Sequence, residues 1–201
     1  MLKIPYQKDL KLPSEPSGKI DTYLWMDNGC EPEAAFYVCY NETALRVRLT
    51  AAIKEPIVYA LKDDGNVWED NCLEFFLAPY AGAGDPAYLN FECNSLGYMV
   101  IGKGPARDGR ESVVDRLKPK MDVYTVIRPG KGVEINYTIP FAALQELYGK
   151  EAPLKKGDRV RLNFYACGEK TPQMYFGMWS KIESPTPEFH LPQFFGEGVL
   201  D

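Results

Sequence analysis

Alternation with a period of two runs through most of this chain. Between residues 44 and 51, Leu45, Val47 and Leu49 fall on one side and Arg46 and Arg48 on the other. That is the signature of a half-buried strand, whose successive side chains point to opposite faces. The pattern recurs over 88–94, where Leu89, Phe91 and Cys93 oppose Tyr88, Asn90, Glu92 and Asn94. It recurs again over 133–139, and over 159–167, where Val160, Leu162, Phe164 and Ala166 oppose Arg161, Asn163 and Tyr165. Further strands are predicted at 35–40, 72–77, 97–101, 123–128 and 174–179. The run Pro129-Gly130-Lys131-Gly132 predicts a hairpin turn, and the glycines and proline of 102–110 predict a loop. One helix is predicted, over about 141–148, with Pro140 at its start and Gly149 just past its end. Many short alternating strands, one helix and no βαβ rhythm predict an all-β fold, an antiparallel β-sandwich. The expected organisation is a single domain over 1–201, with the proline-rich 1–33 an irregular lead-in packed on it.

Composition narrows the function classes. The chain of 201 residues is 45% hydrophobic and 13% aromatic, enough for a substantial core. Its net charge is −5, and no run of Lys or Arg is long enough to track a phosphate backbone. Nucleic acid and membrane are therefore not expected partners. No apolar run approaches the ~20 residues that cross a bilayer, and the N-terminus lacks the apolar core of a secretion signal, so a cytoplasmic location is expected. The five cysteines are odd in number and never spaced as C-x-x-C, which argues for free thiols over disulfides or structural zinc.

The segment 67–77 carries the most chemistry. Trp68 and a cluster of acids lead into a strand on which Leu73, Phe75 and Leu77 oppose Cys72, Glu74 and Phe76. If this strand shares a sheet with 88–94 and 159–167, one face would present Glu74, Asn90, Glu92, Asn94, Arg161, Asn163 and Tyr165. Such a set suits a polyol, and Trp68 and Trp179 would supply apolar surfaces for sugar C–H groups. Arg107 or Arg110 in the loop could reach the same ligand. Opposed to this stands the ordinary reading of a solvated sandwich face.

Other constellations are weaker. Glu74 and Glu92 would be the carboxylate pair of a small glycoside hydrolase, if their spacing allowed. His190, the one histidine, is expected to anchor its loop, or else to rim a ligand site. Asp63, Asp64, Glu69 and Asp70 are candidate calcium ligands by chemistry, although a solvated acidic turn explains them equally.

Taken in order, Trp68-x5-Glu74, Asn90-Phe91-Glu92-Cys93-Asn94 before a glycine, the 133–140 strand, Asn163-Phe164, Trp179-Ser180 and the ending Phe189-His190-Leu191-Pro192-Gln193-Phe194-Phe195-Gly196 resemble a family 9 carbohydrate-binding module. The resemblance runs from about residue 35 to the C-terminus. It implies a DOMON-like sandwich of immunoglobulin type that binds a mono- or oligosaccharide, often at a chain end, without catalysis. It further implies that Trp68 and Trp179 bracket the sugar, that Glu74 binds its hydroxyls, and that Asn94, Asn163 and Tyr165 line the same site. Glu92 departs from the arginine of xylanase-attached modules, so the chain looks more like the freestanding xylanase-related type. Structural calcium is a feature of related modules. Haem is the ligand of other DOMON-like domains, for which Met174, Met178 and His190 are the conceivable axial groups.

Overall fold

The structure, a computed structural model, describes all residues from 1 to 201. Fourteen strands form two sheets. The smaller contains β2 (Gly18–Ile20), β4 (Ala34–Tyr40), β5 (Ala44–Ala51), β10 (Tyr124–Arg128) and β11 (Gly132–Pro140), in the order β10-β11-β5-β4-β2. The larger contains β1 (Leu2–Ile4), β6 (Cys72–Ala78), β7 (Tyr88–Asn94), β8 (Met99–Gly104), β9 (Glu111–Ser112), β12 (Arg159–Cys167) and β14 (Gly196–Leu200). Its order is β1-β14-β12-β6-β7-β8-β9, with β13 (Phe176–Met178) on one end of β12 and β3 (Thr22–Tyr23) beyond it. All pairings are antiparallel except β1 with β14. The fold is the expected β-sandwich.

The alternating apolar residues face each other between the sheets. Phe36 of the smaller sheet stacks on Phe164, with ring centroids 3.6 Å apart. Phe164 stacks on Phe75, Phe75 on Phe91, and Phe91 on Tyr137 of the smaller sheet. This row of rings crosses the interior, and burial of each such side chain is worth roughly 1.5–3 kcal/mol. The expected helix is α2 (Phe141–Tyr148), closed by Gly149 in the left-handed region at φ 60°, a conformation that glycine adopts without steric cost.

Four features differ from the sequence expectation. The lead-in is not irregular throughout, because β1, β2 and β3 extend both sheets. The predicted loop at 102–110 begins later, as β8 continues through Gly104. A short helix α1 (Val114–Leu117) precedes β10. A last strand, β14, is not among those expected, because its two glycines weaken the sequence signal.

The largest departure concerns the outer face of the larger sheet. It is roofed. A second apolar cluster of 12 buried residues, among them Val67, Phe76, Tyr88, Tyr165, Phe176, Ile182, Phe189 and Phe195, packs there. Segments before β6 and after β13 cover Asn94, Asn163 and Tyr165, Arg110 from the chain after β8 lies over Asn90, and all four are fully buried.

Candidate functional site

The polar face read from the alternation exists, since β12, β6 and β7 are neighbours in one sheet. Most of it is not free for a ligand. A buried polar side chain must find a hydrogen-bond partner, and under the roof the nearest partners are loop backbone groups. Asn163 donates through Nδ2 to the Ser180 carbonyl at 2.9 Å and accepts the Ser180 N–H on Oδ1 at 2.9 Å. The Tyr165 hydroxyl donates to the Phe189 carbonyl at 3.1 Å, and its ring stacks on Phe189 at 4.1 Å. Arg161 donates to the carbonyls of Gln193 and Phe195. Asn94 donates to the Ala60 carbonyl and to Asp70, and accepts from the N–H groups of Leu96 and Tyr98. These residues staple the roof down, so Asn94, Asn163 and Tyr165 do not line an open site.

The opening in the roof above Glu74 and Glu92 is a cavity of about 160 Å³. Its floor is a single row across three strands, Glu74 opposite Glu92 and Glu92 opposite Val100. Trp68 and Glu169 border it, joined through the Glu169 N–H to the Trp68 carbonyl. Arg107 and Arg110 reach in from the β8–β9 connection. Phe176 and the segment Pro187-Glu188-Phe189-His190 complete the wall. Of the residues expected at a site, Trp68, Glu74, Glu92 and Arg107 therefore converge.

Trp179 does not join them. Its ring packs edge-on against Phe36 and Phe164 at the margin of the inter-sheet core, and its six-membered ring lies over Gly196. The two indoles do not face each other across one cleft. The reason is the pleat: β13 ends at Met178, and Trp179 passes to the inter-sheet side. The indole that backs the cavity wall is Trp25, which packs on Phe176 and Phe189 and donates from Nε1 to the Ser184 carbonyl at 2.8 Å. Trp25 sits in the left-handed region at φ 68°, which costs a non-glycine residue about 1 kcal/mol or more. Sequence reading missed it because an aromatic in a proline-rich segment carries no periodic signal.

The electrostatics are set by burial. Glu74 and Glu92 are 2% and 4% exposed. Desolvation, then the Glu92 charge beside it, raises the Glu74 carboxyl well above the ordinary range. Desolvation also pushes Glu92 up to about 7, against the lowering influence of Arg110 and of the Asn90 amide. Asn90 donates to Glu92 at 2.9 Å, while Arg110 stands 4.0 Å away and donates to Asn90. His190 takes both roles weighed for it. Its Nδ1 is hydrogen-bonded to the Tyr88 hydroxyl at 2.9 Å, anchoring the loop, and its ring lines the cavity. Desolvation, with Arg110 and Arg107 nearby, lowers its pKa to about 2, so the imidazole is neutral.

The two glutamates do not flank a space as a glycosidase pair must. Both rise side by side from one sheet face and meet a ligand from the same side. The acids of the 63–70 turn are each tied to protein donors: Asp63 to Lys118 and the Met99 N–H, Asp64 to Ser112, Glu69 to Lys170, and Asp70 to the N–H groups of Tyr59 and Ala60. They form no convergent oxygen cage of the kind calcium requires. The group that does converge is Cys72, Cys167 and Glu74, with ligating atoms within 4.8 Å of one another; two sulfurs suit a soft ion rather than calcium. A haem does not fit this cavity, since pockets for ligands of drug size already occupy roughly 300–1,000 Å³, and the Met178 sulfur accepts the Ile182 N–H.

The sequence matches carbohydrate-binding family 9 over residues 9–200. The chain belongs to that family. No curated protein matches this family 9 chain. Among solved structures it is similar to a Bacteroides uniformis ATCC 8492 protein of inferred carbohydrate-binding role, with 28% identity over 92% of this chain and 85% of the other, at a TM-score of 0.80. Two structures of a family 9 module from Caldicellulosiruptor kristjanssonii share the fold. The glucose complex has 13% identity, covers 96% of this chain and 85% of that one, and gives a TM-score of 0.62. The cellotriose complex has 12% identity, covers 99% and 92%, and gives 0.65. In this family 9 chain the cavity over Glu74 and Glu92 is thus set in a carbohydrate-binding framework, and its lining includes the Trp68-x5-Glu74 pair.

Proposed function

We propose that the cavity binds a single sugar ring without chemical change. The observation that carries this reading is the composition of the cavity: the half-buried indole of Trp68 beside two carboxyl groups that retain free hydrogen-bonding capacity. A pyranose has that double character, C–H groups that pack on an aromatic face and hydroxyls at its edge. Glu74 and Glu92 receive the hydroxyls, Trp68 takes the apolar face, and Phe176 and Phe189 close the wall. Glucose and cellotriose, bound by the Caldicellulosiruptor modules, are the first ligands to try, and a volume of about 160 Å³ favours one ring over a chain threaded through. An oligosaccharide would then enter by its terminal residue.

Calorimetric titration of the protein with glucose, cellotriose and a panel of monosaccharides tests the reading. Saturable binding that disappears in Trp68→Ala, in a protein still folded by circular dichroism, supports it. Binding that survives Trp68→Ala places the site elsewhere, and release of reducing sugar from cellotriose would make the protein an enzyme.

A further inference from the structure

Four carboxyl groups and two guanidinium groups border the cavity, and their partnering is uneven. Glu188 is fully engaged, accepting from Arg107 Nη1 at 2.7 Å and from the His190 N–H at 2.8 Å. Glu92 has the Asn90 amide, with His190 Nε2 at 3.8 Å and Arg110 at 4.0 Å. Arg110 is itself held by the Arg107 carbonyl and the Asn90 side chain. Glu74 is the exception. Buried to 2% exposure, it meets no cation and accepts only the Cys167 thiol at 3.1 Å. The Glu169 carboxylate, on the rim, forms neither an ion pair nor a hydrogen bond within the protein, while its neighbour Lys170 turns away to Glu69. His190 is neutral and adds no positive charge.

We infer that the cavity selects a protonated amino sugar over its neutral and anionic counterparts, with Glu74 receiving the ammonium group and Glu169 adding attraction at the rim. This rests on the sugar-site reading above. Burial without a cation raises the Glu74 carboxyl above its ordinary range, because an unpaired carboxylate out of water is costly. An ammonium group brings counter-charge and three donors at once. With Glu74 it forms a carboxylate–ammonium pair. A hydroxyl in the same place supplies a donor but no charge. A uronate adds a carboxylate beside Glu169 and Glu188, while Arg107 and Arg110 are already engaged by Glu188 and Asn90.

The test uses the whole chain and four ligands in both the gluco and galacto series: the 2-amino sugar, the parent sugar, the N-acetylated sugar and the uronic acid. Titrations run near pH 7. The expected result in one series is an amino sugar bound about tenfold more tightly than its parent, equal to about 1.4 kcal/mol. The N-acetyl form gains nothing and the uronate is undetectable. Glu74→Gln lowers amino-sugar affinity by about tenfold more than parent-sugar affinity. Parent sugars bound as tightly as amino sugars, or an amino-sugar advantage that persists in Glu74→Gln, would overturn the inference and leave the sugar site standing. Silence from every ligand in both series would remove the site itself, and the inference with it.

Discussion

Glu74 and Glu92 stand directly opposite each other on β6 and β7, both pointing beneath the roof. Like charges in that position repel, and burial adds a desolvation penalty, so both carboxyls favour the protonated form. A carboxyl whose pKa is raised on folding supports the native state fully below its unfolded value and loses that support as pH rises through the folded value. For Glu92 the window runs from its ordinary value of 4.5 to about 7. His190 acts in the opposite sense. Its folded pKa is depressed from 6.5 to about 2, so its contribution is complete above pH 6.5 and is lost as pH falls. The difference in unfolding free energy between wild type and Glu92→Gln isolates the first effect. Denaturant titrations from pH 5 to 8 are expected to show the variant gaining on wild type by on the order of 3 kcal/mol as pH rises. A pH-independent difference would mean that Glu92 is ionised throughout.

Trp68 and Trp179 separate function from stability. Trp68→Ala removes one cavity wall and is expected to abolish ligand binding at a cost of about 1–2 kcal/mol in stability, since the indole is only half-buried. Trp179→Ala opens a hole beside Phe36 and Phe164 and costs about 3 kcal/mol or more. Ligand-induced fluorescence change gives an independent check, as it is expected to vanish in Trp68→Phe and to persist in Trp179→Phe.

Asn163 tests whether the polar face serves the roof or the ligand. Asn163→Ala breaks both hydrogen bonds to Ser180 and one to the Phe164 N–H, and leaves loop groups without partners. A loss of about 2–3 kcal/mol is expected. Hydrogen exchange should quicken first around residues 180–190. Unchanged protection there, with ligand affinity reduced, would instead make Asn163 a ligand contact.

Gly196 tests the packing of Trp179 from the other side. A Cβ at Gly196 would lie 2.5 Å from Cζ3 of that indole, which Phe36 and Phe164 prevent from retreating. Gly196→Ala is expected to lower the thermal midpoint, with a cost of about 1–3 kcal/mol from overpacking.

The strands and the core were legible because period-two alternation is a local record of which face is buried. The residues 159–167 specify β12 and its inward set of Val160, Leu162, Phe164 and Ala166 without reference to the rest of the chain. The pairing of Trp68 with Glu74 was legible for the same reason, since six positions of one segment fix their proximity. Alternation marks two faces but not what covers the second. The fate of Asn94, Asn163 and Tyr165 depended on segments up to 34 residues away that supply the carbonyls they hold. The side taken by Trp179 depended on where β13 leaves the sheet, and the role of Trp25 on a distant carbonyl at Ser184. The chain by itself determined the sandwich and the candidate acids. Only the tertiary structure decided which of those acids were left without partners, because the roof's hydrogen bonds are non-local and consume the polar face they cover.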